Sequence, residues 1–143
     1  MIKAYCDSSF DEKLGIAGIG IIIDYGTKRK LVSNWIKAQS NNEAELFAIY
    51  LASILTEGKG IIYTDSQTAI SYVEGDIKEK PRDKEQYIRH MHCEYWACKL
   101  RHRDVHPQKI KAHQNIFQTH SMGNRFADLA ANEGRAKFYE RER

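Results

Sequence analysis

The chain has 143 residues, 42% of them hydrophobic and 29% charged, and carries a formal net charge of +3. This is the composition of an ordinary globular domain, which excludes disordered and collagen-like classes, and no apolar run approaches the ~20 residues needed to span a bilayer. We expect one domain, residues 1–143, located in the cytoplasm: strand-like sequence begins at Ile2, leaving no room for a leader, and Cys6, Cys93 and Cys98 form an odd set without framework spacing, as expected of reduced thiols.

The net charge conceals an asymmetry. Residues 1–75 carry seven Lys/Arg against nine Asp/Glu, whereas residues 76–143 carry fifteen against ten. An acidic half joined to a basic half suits a nucleic-acid partner whose phosphates are held by cations near a metal, although a solvated basic helix gives the same count.

Taken in order, residues 2–9 alternate like a strand and run into Asp7 and two small hydroxyl residues, which puts a carboxylate at a strand end. Asp11-Glu12-Lys13 has the composition of a tight turn, and residues 15–24 are rich in Ile with Gly at alternate points, a strand over which other backbone passes closely. Tyr25-Gly26-Thr27 turns the chain into a third strand, residues 30–36, which makes an antiparallel meander.

After Gln39-Ser40-Asn41-Asn42 the period becomes helical, with Ala44, Leu46, Phe47, Ile49, Tyr50, Leu51, Ile54 and Leu55 recurring up to the stop at Gly58-Lys59-Gly60. Ile61-Ile62-Tyr63-Thr64 reads as a short buried strand that ends at Asp65, the kind of position where open α/β sheets carry their ligand chemistry. A short helix over residues 67–73 is stopped by Gly75, and residues 76–81 form a polar loop. A long helix over residues 83–103 follows, with Tyr87, Ile88, Met91, Tyr95, Trp96 and Leu100 on its apolar side. Pro107 precedes a short strand over residues 108–112, residues 113–122 are too polar for core, and a final helix starts at Gly123. The order βββ-α-β-α-α-β-α predicts an α/β fold: a five-stranded mixed sheet, an antiparallel meander plus parallel strands, flanked by helices.

Four acids lie on four separate elements: Asp7 and Asp65 at strand ends, Glu45 in the first turn of the first helix and Asp128 one turn into the last. Their mutual repulsion requires cations. A carboxylate cluster open to phosphate suits Mg²⁺, which prefers oxygen ligands and keeps part of its shell for water or phosphate. Each acid has a structural alternative in isolation: Asn42 with Glu45 fits a capping box, Asp65 could cap the helix after it, and Asp128 could be a solvated helix residue.

The order Asp7, Glu45, Asp65, Asp128 resembles the catalytic acid set of type 1 ribonuclease H. Asn41-Asn42-Glu43-Ala44-Glu45-Leu46 is similar to that family's Asn-Asn-x-x-Glu-Leu, and Thr64-Asp65-Ser66-Gln67 to its Thr-Asp-Ser-Gln. Lys111-Ala112-His113 resembles its Lys-Gly-His, and residues 124–130 its Asn-x-x-x-Asp-x-Leu-Ala. The resemblance implies a ribonuclease H-like fold and an endonuclease that hydrolyses the RNA strand of an RNA–DNA hybrid to 5′-phosphate and 3′-hydroxyl products. It also implies two Mg²⁺ ions on the four carboxylates, with Mn²⁺ able to substitute. We expect a monomer with no membrane partner, a partner domain or protein being the alternative.

On the same resemblance His113 is the mobile residue that assists proton transfer or product release, with His120 its competitor. Asn42 and Gln67 contact the RNA strand, and Ser40 with Asn41 lies where a DNA phosphate is gripped. Three departures stand out. Ser8 replaces the usual Gly after the first Asp, the eleven positions from His113 to Asn124 exceed the common form of that loop, and residues 73–83 are too short for the extra basic helix of some members, so that hybrid affinity falls to Lys78, Lys80, Arg82, Lys84 and Arg89 or to a partner domain.

Two rivals are a non-catalytic hybrid- or partner-binding module on this fold and a DNA nuclease with a different acid set. His90, His92, Cys93, Cys98 and His102 lack the second ligand segment that a closed zinc site needs. Trp35, Tyr95 and Trp96 are spaced for the core rather than for stacking on bases. Residues 135–143 read as a fraying, charged helix end.

Overall fold

In the computed structural model, which describes residues 1–110 and 119–142, β1 (Lys3–Asp11), β2 (Ile16–Asp24) and β3 (Arg29–Lys37) form the meander. α1 (Asn41–Leu55), β4 (Ile61–Thr64), α2 (Gln67–Glu74), α3 (Lys84–His102), β5 (Gln108–Lys109) and α4 (Thr119–Arg141) follow. The sheet has five strands in the order β3-β2-β1-β4-β5, antiparallel across the meander and parallel from β1 through β4 to β5. No helix among the described residues is long and apolar enough to cross a membrane.

The Ile run of β2 divides between the two faces. Ile19, Ile21 and Ile23 are buried with Ala4 and Cys6 against Ala44, Ala48, Ile49 and Ala52 of α1, in the main core. On the opposite face Tyr5 and Ile22 pack against Ala127 of α4. The alternate glycines of β2 belong to this second face. A Cβ at Gly18 would fall 1.8 Å from the Ala131 carbonyl oxygen, and one at Gly20 would fall 2.1 Å from that of Ala127. Gly123 gives the same clearance from the helix side, beneath the Tyr5 ring, and Gly134 does so against the Asn34 backbone. Bare backbone on both partners lets α4 lie against the sheet with almost no side-chain layer between them.

Several elements differ from the sequence expectation. β1 does not end near Asp7: β2 stays paired with it to Asp11, whereas β4 leaves after Cys6, so Asp7 is mid-strand but at the edge where the parallel pairing stops. α4 begins at Thr119, four residues before Gly123, and its C-terminal part is not a frayed end. Arg135 Nη1 donates to the Phe10 carbonyl (3.2 Å), Lys137 Nζ to that of Ser33 (2.8 Å), and the Tyr139 hydroxyl to Asp11 Oδ2 (2.6 Å).

In α3 the buried residues are Cys93, Ala97 and Leu100, joined by half-buried Trp96, while Tyr87, Ile88, Met91 and Tyr95 face solvent. The stripe 93-96-97-100 is the one that meets α1, where Trp96 packs edge-on to Phe47. Trp35 packs against Phe138 of α4. β5 covers only Gln108–Lys109; Ile110 beyond it still donates its backbone N–H to the Thr64 carbonyl (2.8 Å), and the last two expected residues, 111 and 112, lie outside the described residues.

Because the Gly20 contact is with backbone, which cannot rotate away, Gly20→Ala should destabilise the protein by about 3 kcal/mol, a severe case of overpacking. A urea midpoint equal to that of the wild type would contradict this account of the α4 interface.

Candidate active site

The register of β1 against β4 sets up the site. Cys6 pairs with Thr64, so the next residues, Asp7 and Asp65, leave the paired region side by side. Thr64 is buried and its hydroxyl accepts from the Ser66 backbone N–H (3.1 Å), while Ser66 is the N-cap of α2, accepting from Ala69 N–H. Asp65 therefore does not cap the helix and its carboxylate stays available. Lys109 Nζ donates to the Asp65 carbonyl, which ties β5 to the same turn.

Glu45 is released in a similar way. The N-cap of α1 is Ser40, whose side chain accepts from Glu43 N–H (3.1 Å), and Glu43 reaches back to accept from Gln39 N–H (2.7 Å). This arrangement replaces the Asn42–Glu45 capping box that the sequence allows, and it puts Glu45 in the second turn rather than the first. Glu43 also accepts from Trp96 Nε1 (3.0 Å) and contacts His92 Nδ1 (3.2 Å), so α1 is pinned to α3 by a buried acid whose role is structural.

One oxygen each from Asp7, Glu45 and Asp65 lies within 4.8 Å of the others. Asp7 and Glu45 are buried, at 7% and 4% exposure, and Asp65 is half-buried. Asp128, exposed on α4, stands outside this cluster, but its charge adds to the field on Asp7. Burial, reinforced by the Asp65 charge, pushes the Asp7 carboxyl up to about 7 against the pull of the Ser8 backbone N–H. Burial and then the Asp7 charge hold Glu45 well above the usual carboxylate range.

Glu45 Oε2 is buried and has no hydrogen-bond partner. An orphaned carboxylate oxygen beside two other carboxylates is costly without a cation and is the donor set that a hard divalent ion prefers, so the residues present fit a metal. No other group of three or more His, Cys, Asp or Glu side chains suited to a metal occurs among the described residues, and the three cysteines are free thiols.

Of the expected substrate contacts, Ser40, Asn42 and Gln67 line one open groove, together with Lys78, Lys80 and Arg89. Asn41 is exposed beside it. His113 lies outside the described residues, and so does the His120 side chain. Two neighbours that sequence reasoning did not place are Cys93, 3.9 Å from Ser40 Oγ, and the Ser8 hydroxyl, which donates to Asn41 Oδ1 at 2.8 Å. The only signal for Ser8 in the sequence was its departure from the family pattern.

A mixed sheet in this strand order, with carboxylates gathered where its central parallel strands part, is an arrangement able to hold a divalent ion against a phosphate. The RNase H family model matches residues 1–136, and the chain belongs to that family. Its fold is similar to RNase H1 from Halobacterium salinarum NRC-1, at 18% identity over 95% of this chain and 98% of that one, with a TM-score of 0.63. It is also similar to LC11-RNase H1, isolated from compost and solved in complex with an RNA/DNA hybrid, at 21% identity over 97% and 99% of the two chains, with a TM-score of 0.59. An uncharacterized Bacillus subtilis protein, YpeP, is 44% identical over 55 residues, a stretch covering 36% of this chain and 24% of that protein.

The raised Asp7 value fixes the sign of a pH effect. The folded protein holds this proton more tightly than the unfolded chain, whose ordinary value is 3.8. The resulting stabilisation is complete below about pH 4 and is lost as pH rises through 7. In chelator, the melting temperature of the wild type should fall between pH 5 and pH 8. Asp7→Asn should flatten that slope and melt higher at pH 8 by roughly 5 °C. A less stable variant at pH 8 would contradict the electrostatic account.

Proposed function

We propose that this chain is an endonuclease that hydrolyses the RNA strand of RNA–DNA hybrids, leaving 5′-phosphate and 3′-hydroxyl ends, with two Mg²⁺ ions for which Mn²⁺ can substitute. The observation that carries this reading is the convergence of Asp7, Glu45 and Asp65 from two strands and a helix onto one point, with a buried Glu45 oxygen left unpaired. Membership of the RNase H family and the hybrid bound to the similar LC11 enzyme support it.

Asp7, Glu45, Asp65 and Asp128 are the proposed metal ligands, Asp128 completing the set from α4. Bound there, the ions would supply charge neutralisation at the scissile phosphate and activation of the attacking water. The remaining work belongs to the chain. Asn42 and Gln67 line the groove beside the acids and carry side-chain amides, which can both donate to and accept from a ribose 2′-hydroxyl, the group that distinguishes RNA from DNA. Ser40 and Asn41, at the start of α1, are the proposed grip on a DNA phosphate. His113 keeps its proposed part in proton transfer or product release.

α2 ends at Glu74 and α3 starts at Lys84, with no helix among the described residues between them, so hybrid phosphates would fall to Lys78, Lys80 and Arg89 along the groove. Arg82 and Lys84 extend the same basic stretch. We place the enzyme in the cytoplasm as a monomer, a setting that its three free cysteines suit.

Cleavage of a labelled RNA–DNA hybrid in Mg²⁺ tests the reading, with duplex DNA and duplex RNA as comparison substrates. Asp65→Asn should lower kcat by roughly 10³-fold or more, because the charge developing at the phosphate loses an anchor for its counter-ion. Near-normal cleavage by this variant, or equal cleavage of duplex DNA, would refute the assignment.

A further inference from the structure

Ser8 is the residue on β1 immediately after Asp7, half-buried, and its side chain lies on the α1 side of the strand. Its backbone N–H donates to Asp7 Oδ1 (2.8 Å) while its hydroxyl donates to Asn41 Oδ1 (2.8 Å), 33 residues away at the first position of α1. One residue thus touches both a carboxylate of the acidic cluster and the helix N-terminus that carries Ser40, Asn41 and Asn42.

The direction of the second bond carries the inference. A carboxamide has an acceptor end and a donor end of nearly equal size, and on an exposed Asn the two ends exchange freely. A phosphate oxygen only accepts, so only the NH₂ end of Asn41 can bind one. The Ser8 hydroxyl engages the oxygen of Asn41, which leaves the NH₂ as the end for a ligand, at the N-terminus of a 15-residue helix whose dipole favours an anion. Ser8 itself need not reach the ligand.

We propose that Ser8 is a positioning residue for hybrid binding: it locks the Asn41 carboxamide with its NH₂ presented to a phosphate of the DNA strand, and so sets that grip relative to Asp7. The inference rests on the hybrid-cleaving reading above. It explains what a side chain accomplishes at a place where the family resemblance breaks, since a residue without a hydroxyl leaves Asn41 free to present either end.

The test is steady-state cleavage of an RNA–DNA hybrid by the wild type, Ser8→Ala, Ser8→Thr, Asn41→Ala and the double variant Ser8→Ala/Asn41→Ala, with thermal melts confirming that each is folded. Ser8→Ala should raise KM roughly three- to tenfold, the scale of one hydrogen bond, and raise it more than it lowers kcat. Ser8→Thr, which keeps the hydroxyl, should restore KM. The double variant should be no worse than Asn41→Ala alone, because the two side chains act through one bond.

Additive KM effects in the double variant overturn the proposal, as does a KM unchanged in Ser8→Ala or in Asn41→Ala. A wild type that neither binds nor cuts the hybrid instead overturns the hybrid-cleaving reading itself, and this inference with it, so the two failures are told apart by the wild-type measurement.

Discussion

The parallel pairing of β1 with β4 is the constraint on which the rest of the site depends. Cys6 opposite Thr64 is the last pair of that ladder, and beyond it the two chains present Asp7 and Asp65 with no further strand between them. A one-residue slip would send one carboxylate to the opposite face of the sheet. The register is protected by burial: Ala4 and Cys6 face the α1 core and Tyr5 faces α4, so neither face of β1 tolerates reversal. A position normally governed by packing thereby becomes a position governed by charge.

The electrostatic consequence is a centre that is strained in the absence of a cation. Burial alone disfavours the ionised forms of Asp7 and Glu45, and proximity to Asp65 adds to that cost. The protein offsets part of it with the Ser8 N–H and leaves one Glu45 oxygen with nothing to bind. Such a site trades stability for chemistry, and it is tolerable because the surroundings are rigid. Glu43 clamps α1 to α3 through Trp96 and His92, and the glycines of β2 let α4 press on the opposite face.

These two clamps act on opposite sides of the sheet and serve the same end. α4 brings Asp128 to the rim of the cluster only because its backbone nearly touches β2, and the bonds from Arg135, Lys137 and Tyr139 hold its far half in line. α1 brings Glu45 inward while its N-terminus, capped by Ser40, puts Asn42 on the groove wall. The acids and the proposed substrate contacts therefore share supports, and Ser8 joins the two sets directly.

The sequence by itself determined the element order and the mixed sheet, because each depends on local signals, period and turn residues that stay contiguous in the chain; its motifs also singled out four acids, of which Asp7, Glu45 and Asp65 lie together and Asp128 stands outside their cluster. The Gly spacing of residues 15–24 likewise announced a close backbone crossing, though not that α4 supplies it. What only the tertiary structure decided was everything that hinges on which partner a residue meets. Asn42 fits a capping box with Glu45 in sequence, yet Ser40 is the cap, accepting from a Glu43 whose side chain also meets Trp96 of another helix. Tyr87, Ile88, Met91 and Tyr95 have helical apolar spacing yet face solvent, because α1 meets α3 along the neighbouring stripe. Asp7 reads as a strand end in sequence and is mid-strand in the fold, since its two neighbouring strands stop at different places. Local periodicity cannot distinguish these cases, because the energy that separates them lies in contacts between residues far apart along the chain.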